Sequence, residues 1–131
     1  MTSILVVEDH PVFVQSIVRL LQSRGGYETT ALQTAEQAID HLPQLRADLV
    51  LIDVSLPGMS GIRLIKAIHD LKPALPCLML SGHVAANYVQ QSMAAGARGY
   101  VLKDDIPGIL EGIRQVLAGG TYISEAVQRP R

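Results

Sequence analysis

Acidic side chains stand where two apolar runs end: Glu8-Asp9 follows Ile4–Val7, and Asp53 closes Leu49–Asp53. Two later runs also end on polar residues, Ser81 after Cys77–Leu80 and Lys103 after Gly99–Leu102. Singly, each has an ordinary explanation. An acid after a strand is usually a turn or helix cap, Ser81 precedes a turn glycine, and Lys103 is the kind of lysine that surfaces carry. Together they have a chemistry. Carboxylates held close repel one another, and a cation relieves that repulsion. An oxygen-rich donor set suits a hard ion such as Mg²⁺, which takes one or two carboxylates and keeps several waters. One carboxylate is then left as a nucleophile, and aspartate forms aspartyl-phosphates. The Lys103 ammonium and the Ser81 hydroxyl supply the charge and the donor that a phosphoryl group's oxygens require.

The elements that must position these residues follow from periodicity. Ile4–Val7, Tyr27–Leu32, Leu49–Asp53, Cys77–Ser81 and Gly99–Lys103 are short and rich in β-branched or aliphatic residues. All but the second lack polar alternation, as strands covered on both faces do. Helical spacing fills the intervals. Phe13, Ile17, Val18, Leu20 and Leu21 share a side behind Pro11, before Gly25-Gly26. Thr34 and Gln37 have capping-box spacing for a second helix that Pro43 ends. Leu64, Ile65, Ile68 and Leu71 lead to Pro73, Tyr88, Val89 and Met93 lead to Gly96, and Ile109, Leu110, Ile113, Val116 and Leu117 follow Pro107. Alternation of this kind predicts an α/β fold, a five-stranded parallel sheet, doubly wound in the flavodoxin-like order 2-1-3-4-5, with five helices. Ligands of such sheets sit beyond the carboxyl ends of the strands where strand order reverses, so Glu8, Asp9 and Asp53 should converge, with Ser81 and Lys103 along the same rim.

Bulk properties narrow the classes. The chain has 131 residues, 48% hydrophobic and 18% charged, which suits one compact domain with a real core. A net charge of −1 and no Lys/Arg run give no electrostatic case for direct contact with nucleic acid or anionic lipid. The lone Cys77 excludes an intrachain disulfide and is expected to be a small buried hydrophobe rather than a reactive thiol. No leader-like start and no run long enough to span a bilayer are present, so a soluble, cytoplasmic protein is expected. Residues 119–131 lose periodicity and end in Gln128-Arg129-Pro130-Arg131, which reads as a tail or the start of a linker.

Four segments carry a family resemblance: Ile4-Leu-Val-Val-Glu-Asp-His-Pro11, Leu51-Ile-Asp-Val-Ser-Leu-Pro-Gly-Met-Ser-Gly61, Leu80-Ser-Gly82 and Ala95-Gly-Ala-Arg-Gly-Tyr-Val-Leu-Lys-Asp104. In combination they make residues 3–118 similar to receiver domains of bacterial two-component response regulators. The Asp-His-Pro, Gly-Ala-Arg-Gly-Tyr and Gly-Gly-Thr-Tyr-Ile-Ser stretches look most like the NarL/FixJ subfamily. The resemblance implies a receiver domain over 1–118, with 119–131 leading toward a C-terminal helix-turn-helix domain that binds DNA. It implies a signalling protein, not an enzyme acting on a separate substrate, although receivers assist their own phosphoryl transfer and autodephosphorylation. A sensor histidine kinase would be the phosphodonor, and a homodimer the phosphorylated form. Asp53 would be the phosphoacceptor. Asp9, Asp53 and the backbone carbonyl of Ser55 would ligate Mg²⁺, with Glu8 acting directly or through water. Ser81 and Lys103 would hold the phosphoryl group. Tyr100 matches the aromatic switch position, whose ring turns inward when Ser81 moves toward the phosphate.

Glu8 stands where many receivers carry Asp, and its extra methylene changes its reach. His83 follows Ser81 closely and reads as an exposed loop histidine with a possible influence on water access; His10, His41 and His69 follow no common metal spacing. Three rivals fit less well. A haloacid-dehalogenase-type phosphatase needs a second aspartate where Ser55 stands. A flavin binder needs a phosphate-cradling loop where Glu8-Asp9 would repel phosphate. A pseudo-receiver scaffold would usually lack an acid, the acceptor or the lysine, and all are present.

Overall fold

The computed structural model describes residues 1–44, 46–82 and 86–128. Five parallel strands, β1 (Ser3–Val7), β2 (Glu28–Leu32), β3 (Leu49–Asp53), β4 (Cys77–Ser81) and β5 (Gly99–Leu102), alternate with α1 (Pro11–Arg24), α2 (Ala35–His41), α3 (Gly61–Leu71), α4 (Ala86–Ala95) and α5 (Ile106–Leu117). The expected order 2-1-3-4-5 is observed, continued at the far edge by a short sixth strand, β6 (Tyr122–Ile123), with α6 (Glu125–Gln128) behind it. Both extra elements lie in the segment that periodicity leaves as a tail. Two residues are too few to show a period, and β6 exists because β5 offers it an open edge, Gly99 against Tyr122 and Tyr100 against Ile123. The first contact needs glycine, because a Cβ at Gly99 would sit 2.6 Å from the Tyr122 carbonyl oxygen.

The unbroken apolar runs have a direct cause. Alternate residues of each strand enter two separate cores. Ile4, Val6, Leu49, Leu51, Leu78, Leu80 and Val101 meet Ile17 and Leu21 of α1 and Ile109, Ile113 and Val116 of α5. Leu5, Val7, Val50, Ile52, Met79 and Tyr100 meet the opposite layer, where Ala35 and Ala38 of α2 and Leu64, Ile65 and Ile68 of α3 pack. β2 is the exception foreseen in its sequence. It is the other edge, and none of its residues is fully buried.

Helix starts carry local chemistry. The Thr34 hydroxyl accepts from the Gln37 amide, as the capping-box spacing predicts, but the Gln37 side chain reaches back to the Gln33 amide rather than to that of Thr34. Ser60 caps α3 by accepting from Arg63, and Asp105 caps α5 by accepting from Gly108.

Cys77 is buried in the α2–α3 layer, and burial pushes its thiol up to about 12. Both facts fit the reading as an inert hydrophobe, because the thiolate is the reactive form. A thiol reagent at neutral pH should therefore label the folded protein negligibly and take up one equivalent in denaturant. Rapid labelling under native conditions would show that the start of β4 opens readily.

Candidate phosphoryl-acceptor site

The sheet ends converge as the topology requires. The Glu8 amide continues the β1–β2 ladder to the Leu32 carbonyl, Val54 continues β3–β4 to Leu80, and Lys103 continues β4–β5 to Ser81. These bonds bring the ends of β1, β3, β4 and β5 to one rim. Pro11 starts α1 immediately after Asp9-His10, so the chain turns away and leaves the acids at the opening. The turn after β3 is equally tight: Gly58 lies at φ 72°, and the Gly61 amide donates to Val54.

Glu8 and Asp53 are buried, and Asp9 is half-buried. The Ser55 amide donates to Asp53 Oδ1 at 3.1 Å, which holds that oxygen and turns Oδ2 into the pocket. Asp53 Oδ2 and Asp9 Oδ1 are buried and accept no hydrogen bond. Lys103 Nζ lies 3.0 Å from Glu8 Oε2, 3.1 Å from Glu8 Oε1 and 3.4 Å from Asp53 Oδ2. Both Glu8 oxygens thus face the ammonium. The Phe13 ring centroid lies 5.0 Å from the same Nζ, within the range of a cation–π contact.

Tyr100 is fully buried, with its ring in the α2–α3 layer. Burial raises its phenol above the ordinary value, and a hydrogen bond with the Ser81 side chain pulls the other way. Ser81 itself is buried at the end of β4. The structure therefore brings Glu8, Asp9, Asp53 and Lys103 to one rim, with Lys103 paired to Glu8 and Asp53, and places Ser81 and Tyr100 as a bonded pair on the adjoining strands. Ser55 lies two residues after Asp53 and supports its carboxylate through the backbone amide. His83 and residues 129–131 lie outside the described residues.

Two participants escaped notice in the sequence. His10 has no metal-motif spacing, yet its Nδ1 bonds to Glu8 Oε1 at 2.6 Å and lies 3.4 Å from Asp9 Oδ1. That hydrogen bond is the main reason its imidazole is held more basic than usual. Phe13 reads as a core position of α1, whereas its ring also faces Lys103. The available signal was position: His10 follows directly on Glu8-Asp9 and Phe13 lies in the first turn of α1, where that helix begins against the rim.

The donor set fits a divalent cation. Glu8, Asp9, His10 and Asp53 each offer one ligand atom, and these atoms all lie within 4.8 Å of one another. Two of the carboxylate oxygens are the orphaned ones noted above, as a site that takes a cation would leave them. Among the described residues no helix is long and apolar enough to cross a membrane.

Known proteins share this sequence pattern and fold. Residues 4–114 match the response regulator receiver domain family. The chain is 32% identical over 124 residues to the transcriptional activator protein ExaE of Pseudomonas putida, covering 93% of this chain and 58% of that protein. It is likewise 32% identical over 128 residues to the nitrate/nitrite response regulator protein NarP of Escherichia coli, 96% of this chain and 60% of that one. The chain thus spans a little over half the length of these curated relatives. A two-component response regulator of the LuxR family from Aurantimonas sp. superposes with a TM-score of 0.91 at 30% identity, over 97% of this chain and 93% of that one. With a sheet of this order and an acidic rim that holds its lysine, the chain belongs to the response regulator receiver domains, alongside LuxR/NarL/FixJ-family transcriptional regulators.

Proposed function

We propose that the protein is a phosphorylation-activated switch that accepts a phosphoryl group on Asp53 from a sensor histidine kinase and thereby controls transcription. The observation that carries this reading is the state of Asp53. Its Oδ1 is held by the Ser55 amide, while Oδ2 accepts no hydrogen bond and faces Lys103. A nucleophile needs an available lone pair in a fixed place. As Oδ2 bonds to phosphorus, the bond from phosphorus to the kinase's imidazole nitrogen breaks, and the imidazole leaves.

Asp9, Asp53 and the Ser55 carbonyl would hold Mg²⁺, with Glu8 acting through water because Lys103 already occupies it. When bound, the ion supplies positive charge that offsets the phosphoryl oxygens. Lys103 would exchange part of its contact with Glu8 for a phosphoryl oxygen, and Ser81 would donate its hydroxyl to another. Moving Ser81 breaks or remakes its bond to Tyr100, which transmits the event along β5. Water attack at the same phosphorus returns Asp53, giving autodephosphorylation. Residues 1–118 form the receiver unit in this reading, and 119–131 lead from it toward an appended helix-turn-helix domain, to which DNA contact is assigned. Homodimerisation of the phosphorylated form and a cytoplasmic location complete it. Support for the output comes from the relatives' names as transcriptional regulators and from the chain's own net charge of −1, which does not suit DNA.

Incubation with Mg²⁺ and acetyl phosphate, read by intact mass, is expected to add one phosphoryl group to the wild type and none to Asp53→Asn. Equal incorporation into both would remove Asp53 as acceptor.

A further inference from the structure

His10 occupies the N-cap of α1, yet its side chain makes no capping bond. Its imidazole is exposed, so packing does not require it, and it turns over the acidic pocket instead. Nδ1 lies 3.4 Å from Asp9 Oδ1 and 3.9 Å from Asp53 Oδ2, and these are two of the three carboxylate oxygens buried here without a hydrogen bond, Glu8 Oε2 beside Lys103 being the third. An octahedral ion with bonds of about 2.1 Å sets neighbouring ligand atoms about 3.0 Å apart and opposite ones about 4.2 Å apart. The two observed separations fall inside that range.

We infer that His10 is a further protein ligand of this site through Nδ1, and that the pocket therefore favours a transition divalent cation, such as Mn²⁺, Co²⁺ or Ni²⁺, over Mg²⁺. The inference rests on the reading of Asp9 and Asp53 as cation ligands. Imidazole nitrogen suits first-row transition ions, whereas Mg²⁺ prefers oxygen and water. In the structure Nδ1 bonds to Glu8 Oε1. Ligation replaces that bond with a bond to the metal, any proton on Nδ1 passing to solvent and no oxidation state changing. Glu8 stays compensated because Lys103 remains 3.0 Å from its Oε2.

The test is calorimetric titration of the metal-free full chain with Mg²⁺ and with Ni²⁺, for wild type, His10→Ala and Asp9→Asn, together with the visible spectrum of the Co²⁺ form. His10→Ala is expected to weaken Ni²⁺ by about 10–100-fold and to leave Mg²⁺ within about twofold. The Co²⁺ bands should shift as a nitrogen ligand is lost. If His10→Ala weakens Ni²⁺ no more than Mg²⁺, or strengthens both, the imidazole is only a counter-cation and the inference is overturned. Asp9→Asn separates this failure from that of the underlying reading. Unchanged Ni²⁺ and Mg²⁺ affinity in Asp9→Asn would place the metal elsewhere, for example on His41 or His69, and both readings would fall. Loss in Asp9→Asn with none specific to His10→Ala would spare the pocket and remove His10.

Discussion

Replacing Lys103 by Met should destabilise the metal-free protein by about 3 kcal/mol, the usual consequence of removing one partner from a buried ion pair. Nζ lies 3.4 Å from Asp53 Oδ2 and 3.0 Å from Glu8 Oε2, and the other side chain on Glu8 is the His10 imidazole. Without it, two buried carboxylates remain, with His10 as the nearby compensating group, and that group lies on the exposed side. Met keeps most of the apolar stem while removing the ammonium, so the loss reports charge rather than packing. Urea unfolding in the presence of a chelator measures it. A divalent cation should restore part of the stability, since it replaces the missing charge. A change below about 0.5 kcal/mol would mean that the carboxylates are adequately solvated and that Lys103 does not organise the pocket.

Gly61→Ala should be costly for a different reason, about 3 kcal/mol, at the upper end of overpacking effects. The new methyl would overlap the Asp53 carbonyl oxygen and lie 3.0 Å from both Val54 Cα and the Ile52 side chain. Two of these three neighbours are backbone, at the carboxyl end of β3, and backbone at the end of a central strand yields little. Relief requires α3 to move away from β3, so phosphoryl uptake from acetyl phosphate should slow as well. Gly58→Ala provides the contrast. There a positive φ costs about 1 kcal/mol, and the nearest neighbour is the flexible tip of Glu36. Equal unfolding midpoints for the two variants would show that the α3–β3 contact is softer than its geometry implies.

Much of the site was legible because a parallel sheet converts sequence position into spatial position. Glu8, Asp9, Asp53, Ser81 and Lys103 each stand at or just after a strand's carboxyl end, and alternation with helices fixes all those ends on one side. The two-sided burial of β1, β3, β4 and β5 was equally readable, since strands that feed two cores cannot show polar alternation. Family segments extended this to the role expected of Tyr100, which its own residue type would never indicate.

Pairing within the rim was decided only in three dimensions. Residue types say that acids and a lysine share a site, but not that Lys103 takes Glu8 at 3.0 Å while Asp53 Oδ2 is left for a ligand. That division depends on side-chain length and on the crossovers that set β5 three places from β1, with β3 and β4 between them. His10 and Phe13 joined the site because α1 begins there and turns one residue toward the carboxylates and the other toward Nζ. The sixth strand is the same kind of case: nothing local in Tyr122–Ile123 demands an extended form, and the open edge of β5 supplies the partner. Local pattern thus determines which elements form and which ends they present, because periodicity and strand direction are properties of the chain alone. Contacts between residues distant in sequence decide which charges are satisfied, because that depends on the few ångströms separating side chains from different strands.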